Sequence, residues 1–288
     1  MSDVRSVVIS VVVTSLRQRD NTPPVCSARH GASVPSMATH NVLARWVTPG
    51  GHPQRRLVFF PHAGAGGLTG RSLAADDAEV LAHRRPGREA RMAEPAASSV
   101  EEAVQEALEA LLPTLDADDL PTDVLGHSFG ALLGAEFVAR MERDRPGRIR
   151  RLVVSAKVPP PDPSPELSEA LRDDQALVAW LVDLGGTPPE LLEDPGMRSM
   201  VLDPLRADLT ASLGHDREPP LLNTPLLTVT ADGDATAPAQ DVDSWSSFTT
   251  APVGTLRLHG GHHALFEQAE LLHQALREPG SSPSAPER

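Results

Sequence analysis

Short apolar runs alternate with stretches of helical periodicity through the middle of the chain. RLVFFP (Arg56–Pro61) and AEVLAH (Ala78–His83) are compact runs bounded by turn residues, the pattern of strands buried on both faces. SSVEEAVQEALEALLPTL (Ser98–Leu115) repeats its apolar residues at helical spacing, and Ser99 stands three before Glu102, a capping-box signature. TDVLGH (Thr122–His127) predicts a third strand and ALLGAEFVARMERD (Ala131–Asp144) the helix that follows it. RRLVVSA (Arg150–Ala156), PLLTVTA (Pro225–Ala231) and GTLRLHG (Gly254–Gly260) predict further strands, and ALFEQAELLHQALRE (Ala264–Glu278) a closing helix. Strands alternating with helices predict an α/β fold, a mostly parallel, doubly wound sheet covered on both faces.

One stretch breaks the alternation. Between about 159 and 216 the pattern predicts several short helices separated by Pro and Gly, and no strand. An all-helical insertion between two sheet strands is what a lid over a site looks like, although ordinary surface helices read the same way. The ends differ from the middle. Residues 1–36 are rich in Pro, Ser and Arg without periodicity and predict a disordered extension, as do 279–288 at the other end. The folded segment is therefore expected over 37–278, with translation starting at Met1 or Met37.

The chain has 288 residues and 40% hydrophobic content, enough for one sizeable core. Its formal net charge of −13 argues against nucleic acid as a partner. A single cysteine, Cys26, excludes an intrachain disulfide and fits a reducing compartment. The apolar run SVVISVVV (Ser6–Val13) is far short of the ~20 residues a membrane span needs. The protein reads as cytoplasmic, with no membrane role.

Candidate chemistry gathers at the ends of the predicted strands. GHSFG (Gly126–Gly130) sets Ser128 between two glycines at a strand-to-helix joint. The glycines allow close backbone packing, and the sharp turn presents Ser128 as a nucleophile above the sheet edge. His262, in HGGHH after the last strand, is the first choice of base, with His263 its competitor. Asp232 and Asp234, in DGDATAP after the preceding strand, can each orient an imidazole, although Asp-Gly is also a common turn. The order Ser, Asp, His is that of α/β-hydrolases. PHAGAGG (Pro61–Gly67), after the first predicted strand, offers backbone N–H groups for an oxyanion hole, with Ala63 and Phe129 as the donors. That loop lacks the lysine and spacing of a phosphate-binding loop. There is no H-E-x-x-H and no cysteine pair, so no metal is expected.

These residues and their neighbours resemble a known family, the type II thioesterases: stand-alone α/β-hydrolases that serve nonribosomal peptide and polyketide synthases. LVFFPHAGAGG, RPGREAR, GHSFGALLGAEFVAR, LGGTPPELL, LDPLRADL, DGDATAPAQDVDSW and GGHHALFE carry the resemblance, from about Arg56 to Glu267. It implies an α/β-hydrolase fold with a helical lid. It makes Ser128 the nucleophile, His262 the base and Asp234, by its distance from Trp245, the acid. Ala63 and Phe129 match the family's oxyanion hole. It implies hydrolysis of acyl thioesters on the phosphopantetheine arm of acyl or peptidyl carrier proteins, removing stalled or wrong acyl groups. No cofactor of the enzyme's own is implied, and a monomer is expected. Two departures stand out: Phe129 replaces a frequent methionine, and His263 and Ala264 stand where the family usually has aromatic residues. Carrier proteins are usually acidic, so HRRPGREAR (His83–Arg91), with Arg88 and Arg91, is expected as a basic docking patch, and RPGRIRR (Arg145–Arg151) as a weaker one. The same triad also suits an oxoester esterase or lipase, or an acyltransferase. A catalytically idle partner of a synthase is a further reading.

Overall fold

The computed structural model describes residues 41–161 and 165–278. The expectations for 1–36, Cys26 and 279–288 lie outside the described residues. Seven strands are present among the described residues: β1 (Leu43–Trp46), β2 (Arg55–Phe60), β3 (Ala78–His83), β4 (Thr122–His127), β5 (Arg151–Ser155), β6 (Leu226–Ala231) and β7 (Val253–Leu258). They form one sheet in the order β1-β3-β2-β4-β5-β6-β7. Only β1 pairs antiparallel, with β3; every other pairing is parallel. β1 was not predicted: of its four residues only Ala44 is buried, and they carry no two-faced apolar run.

Every residue of β2, β3, β4 and β6 is buried, which explains the short apolar run at the heart of each. Alternate residues feed two cores. Val58, Phe60 and Val124 face helices α1 (Val100–Leu115) and α2 (Phe129–Asp144). Leu57, Phe59, Leu125, Val153 and Val229 face the other side, against α7 (Ala264–Glu267) and α8 (Ala269–Arg277). The single closing helix predicted there is broken at Gln268 (φ −122°, ψ 33°). Helix α1 begins as its sequence suggests. Ser99 accepts a hydrogen bond from the Glu102 N–H (3.2 Å), while Glu102 reaches back one residue further, to the N–H and hydroxyl of Ser98 (2.7 Å each).

Between β5 and β6 lie α3 (Pro165–Ala170), α4 (Asp174–Leu184) and α5 (Pro195–Leu213), with no strand among the described residues. They share a small core of their own, built from Leu167, Leu177, Leu181, Leu202, Leu205 and Leu209. Ala63, from the loop after β2, packs against that core and against the main one. The short helix α6 (Ala239–Asp243) follows β6.

Candidate active site

At the joint of β4 and α2, Ser128 takes φ 54° and ψ −123°, a conformation L-residues rarely adopt. The surroundings impose it. The Ser128 N–H donates to the Ser155 carbonyl (2.8 Å) at the end of β5, so strand pairing continues into the turn. The flanking glycines are steric necessities. A Cβ on Gly126 would stand 2.3 Å from the Gly130 carbonyl oxygen, and one on Gly130 would stand 1.9 Å from that of Phe60. With no room for a gentler turn, the serine stands at the carboxyl edge of the sheet. The N–H of Phe129 opens α2, where the first amides have no partner within the helix.

The loops after β6 and β7 bring two more groups to this edge. His262 Nδ1–H donates to Asp234 Oδ2 (2.8 Å), and both side chains are buried. Burial pushes the Asp234 carboxyl up, but the hydrogen bond and charge of His262, with the bonds from Thr236, outweigh it and hold it below the usual carboxylate range. Thr236 clamps the pair: its hydroxyl and its N–H donate to Asp234 Oδ1 (2.7 and 3.0 Å), and its oxygen lies 3.1 Å from His262 Nδ1. Sequence reasoning overlooked Thr236, although an Asp two residues before a Thr is the signal of an Asx-type turn. With Nδ1 engaged, His262 Nε2 is the lone-pair nitrogen, buried and without a hydrogen-bond partner among the described residues.

Asp232, the alternative acid, does something else. It accepts from His259 Nδ1–H (2.8 Å) and from the Gly260 N–H (3.0 Å), which ties the β6 loop to the β7 loop at the surface. His263 turns away from Asp234. Its ring packs against His62 (ring centroids 4.9 Å apart) and bonds the Gly185 carbonyl beyond α4. Burial, with His262 alongside, lowers its pKa to about 4. Burial likewise holds His62 and His127 well below the usual imidazole range. His127, next to Ser128, has its ring 5.2 Å from that of His262.

The expected basic patch is corrected. Arg85, Arg88 and Arg91 are only 1%, 5% and 6% exposed. Arg88 and Arg85 both bind the buried Asp208 of α5, at 2.5 and 3.0 Å. Arg85 also donates to the carbonyls of Pro61, His62 and Ala65, and its guanidinium lies over the Phe129 ring (5.2 Å). Asp208 further accepts the Gly64 N–H (2.8 Å). Burial raises the Asp208 carboxyl, yet the two guanidiniums more than reverse this and keep it ionised. Arg91 is taken up by Glu94 and Glu106. The RPGR and LRADL motifs thus meet in one buried cluster that fixes the loop of Ala63 beneath α5. The reason is physical: cations that must hold a backbone loop have to be desolvated, and they are paired because unpaired burial is costly. Arg145, Arg148 and Arg150 pair with Asp116, Asp118 and Asp123, and Arg150 and Arg151 lie at the opposite, amino-terminal edge of the sheet.

A serine elbow, a buried Asp–His pair and a loop of backbone amides at one sheet edge can carry acyl transfer. The thioesterase-domain model matches residues 55–278. The chain belongs to the thioesterase family. The resemblance read from the sequence is borne out, and the molecule is a hydrolase acting on thioesters. The chain is 31% identical over 217 residues to the thioesterase PikA5 of Streptomyces venezuelae, covering 74% of this chain and 76% of that one. It is similar in structure to the type II thioesterase BorB from the borrelidin biosynthetic cluster, with TM-score 0.66, 30% identity, and coverage of 79% of this chain and 94% of that one. It is also 32% identical over 272 residues, 88% of its length, to the antimetabolite synthetase AmbE of Pseudomonas aeruginosa, of which it spans only 12%. No helix among the described residues is long and apolar enough to cross a membrane.

Proposed function

We propose that this thioesterase releases acyl groups from the phosphopantetheine arm of carrier proteins in a peptide or polyketide synthase, with Ser128, His262 and Asp234 as its triad. The observation that carries the triad is the buried 2.8 Å bond from His262 Nδ1 to Asp234, which leaves Nε2 as a base near the Ser128 elbow. Ser128 Oγ attacks the thioester carbonyl and its proton passes to His262 Nε2. Asp234 stabilises the imidazolium. The oxyanion is held by the N–H groups of Ala63 and Phe129, each worth about 3 kcal/mol. The proton moves to the departing pantetheine sulfur. His262 then takes a proton from water as the water oxygen attacks the acyl carbonyl, and passes it to Ser128 Oγ as the ester bond breaks and the acid leaves. No cofactor of the enzyme's own enters these steps. Similarity to a type II thioesterase from a biosynthetic cluster supports the carrier-bound substrate. Helices α3–α5 act as the lid in this reading. A cavity of about 230 Å³ lies between α2, α3 and the end of α5, lined by Leu132, Lys157, Leu167, Leu213 and His215; none of Ser128, Asp234 and His262 lines it.

The test is release of free acid from acyl-loaded carrier protein, with the same acyl group on a simple oxoester in parallel. Fast release from the carrier, lost in Ser128→Ala and slow on the oxoester, is the expected result. Activity on the oxoester alone would move the reading to a general esterase. Silence on both would turn attention to an acyl acceptor other than water.

A further inference from the structure

Three histidines meet beside the triad without a part in it. His62 comes from the loop after β2, His127 from the end of β4 and His263 from the loop after β7. One ring nitrogen from each lies within 4.8 Å of the others. His127 is fully buried. Its Nε2 and the Nδ1 of His62 are buried without a hydrogen-bond partner among the described residues. A buried polar atom left without a partner is costly, so the arrangement calls for a ligand. The outer sides of two rings are already fixed. His127 Nδ1 lies 3.0 Å from Ser155 Oγ, and His263 bonds the Gly185 carbonyl. Bonds of this kind orient the rings of metal-binding histidines and settle their tautomers.

We propose that His62, His127 and His263 form a binding site for a divalent transition-metal ion, with Zn²⁺ the best match. Three neutral imidazoles and an open fourth position are a tetrahedral zinc set. At Zn–N distances of roughly 2.1 Å the nitrogens must draw in to roughly 3.4 Å of one another, from separations that are now within 4.8 Å. The guanidiniums of Arg85 and Arg88, which also face His62, are offset by Asp208. The ion would bridge the residue before Ser128 and the residue after His262. It would restrain both and add positive charge where His262 must become an imidazolium, so the site is inhibitory. The binding claim stands independently of the carrier-protein reading, because it is measured without turnover.

The experiment is calorimetric titration of Zn²⁺ into the metal-free full-length protein. The comparison variants are His263→Phe, His62→Gln and, as control, His259→Gln, whose exposed ring pairs with Asp232. One site is expected in the wild type and in His259→Gln, weakened at least tenfold in the other two. Thermal unfolding without metal checks that each variant folds, and Zn²⁺ should raise the midpoint of the wild type but not of His263→Phe. If His263→Phe does not fold, His62→Gln decides. No binding to the wild type, or unchanged affinity in both cluster variants, would overturn the proposal. Where hydrolysis is measurable, Zn²⁺ should slow the wild type, a chelator should restore it, and His263→Phe should be much less sensitive.

Discussion

Asp232 and Asp234 stand two residues apart on one loop and face different histidines, and this difference can be measured. Asp234→Asn keeps the shape but lets His262 settle in the wrong tautomer, so kcat should fall by a factor on the order of 10³–10⁴ with the fold intact. Asp232→Asn loosens an exposed contact to His259 and should change kcat less than tenfold. Steady-state kinetics on one thioester substrate separates them. From the sequence alone both carboxylates were candidates, because a turn of Asp, Gly and Asp does not say which one points inward; only the distance to Trp245 within a family pattern chose. Charge misled in the opposite direction at Arg88 and Arg91. A basic run reads as surface; Arg91 is taken up by Glu94 and Glu106, while the partner of Arg88, Asp208, lies 120 positions away. No local pattern carries that pairing.

At the scale of elements, the buried parallel strands were legible because each is a short apolar run closed by turn residues. The edge strand β1 was not, since one neighbour and partial burial ask little of its sequence. The helical segment between β5 and β6 was recognisable by its lack of strands, but its anchorage was not. Asp208 of α5 holds Arg85, Arg88 and the Gly64 N–H together. Asp208→Asn leaves two buried guanidiniums without a counter-charge, and stability should drop by about 3–5 kcal/mol. Urea unfolding measures this as a lower midpoint at similar slope. Turnover should fall too, because the loop carrying Ala63 loses its tether.

Across the whole molecule, the buried imidazoles tie stability to pH. His62, His83, His127, His263 and His273 all have pKa values lowered by burial, with His263 at about 4. The unfolded chain takes up protons near pH 6.5 while the folded one refuses them. Their contribution is therefore complete above about pH 6.5 and is lost progressively as pH falls below it. The thermal midpoint should drop by several degrees between pH 7 and pH 5, before most carboxylates titrate, and the drop should be smaller in His263→Phe. An unchanged midpoint over that interval would contradict the burial of these rings.

The residues proposed as the triad are delivered by β4, β6 and β7, and the last of these strands pairs with β6 alone. A growing polypeptide that has already formed its serine elbow is therefore still chemically silent. It holds a nucleophile without a base until the chain past His262 has been made and β7 has closed onto its neighbour. Synthesis of the protein and onset of its proposed chemistry are separated by the final strand, so an unfinished copy lacks the proposed base.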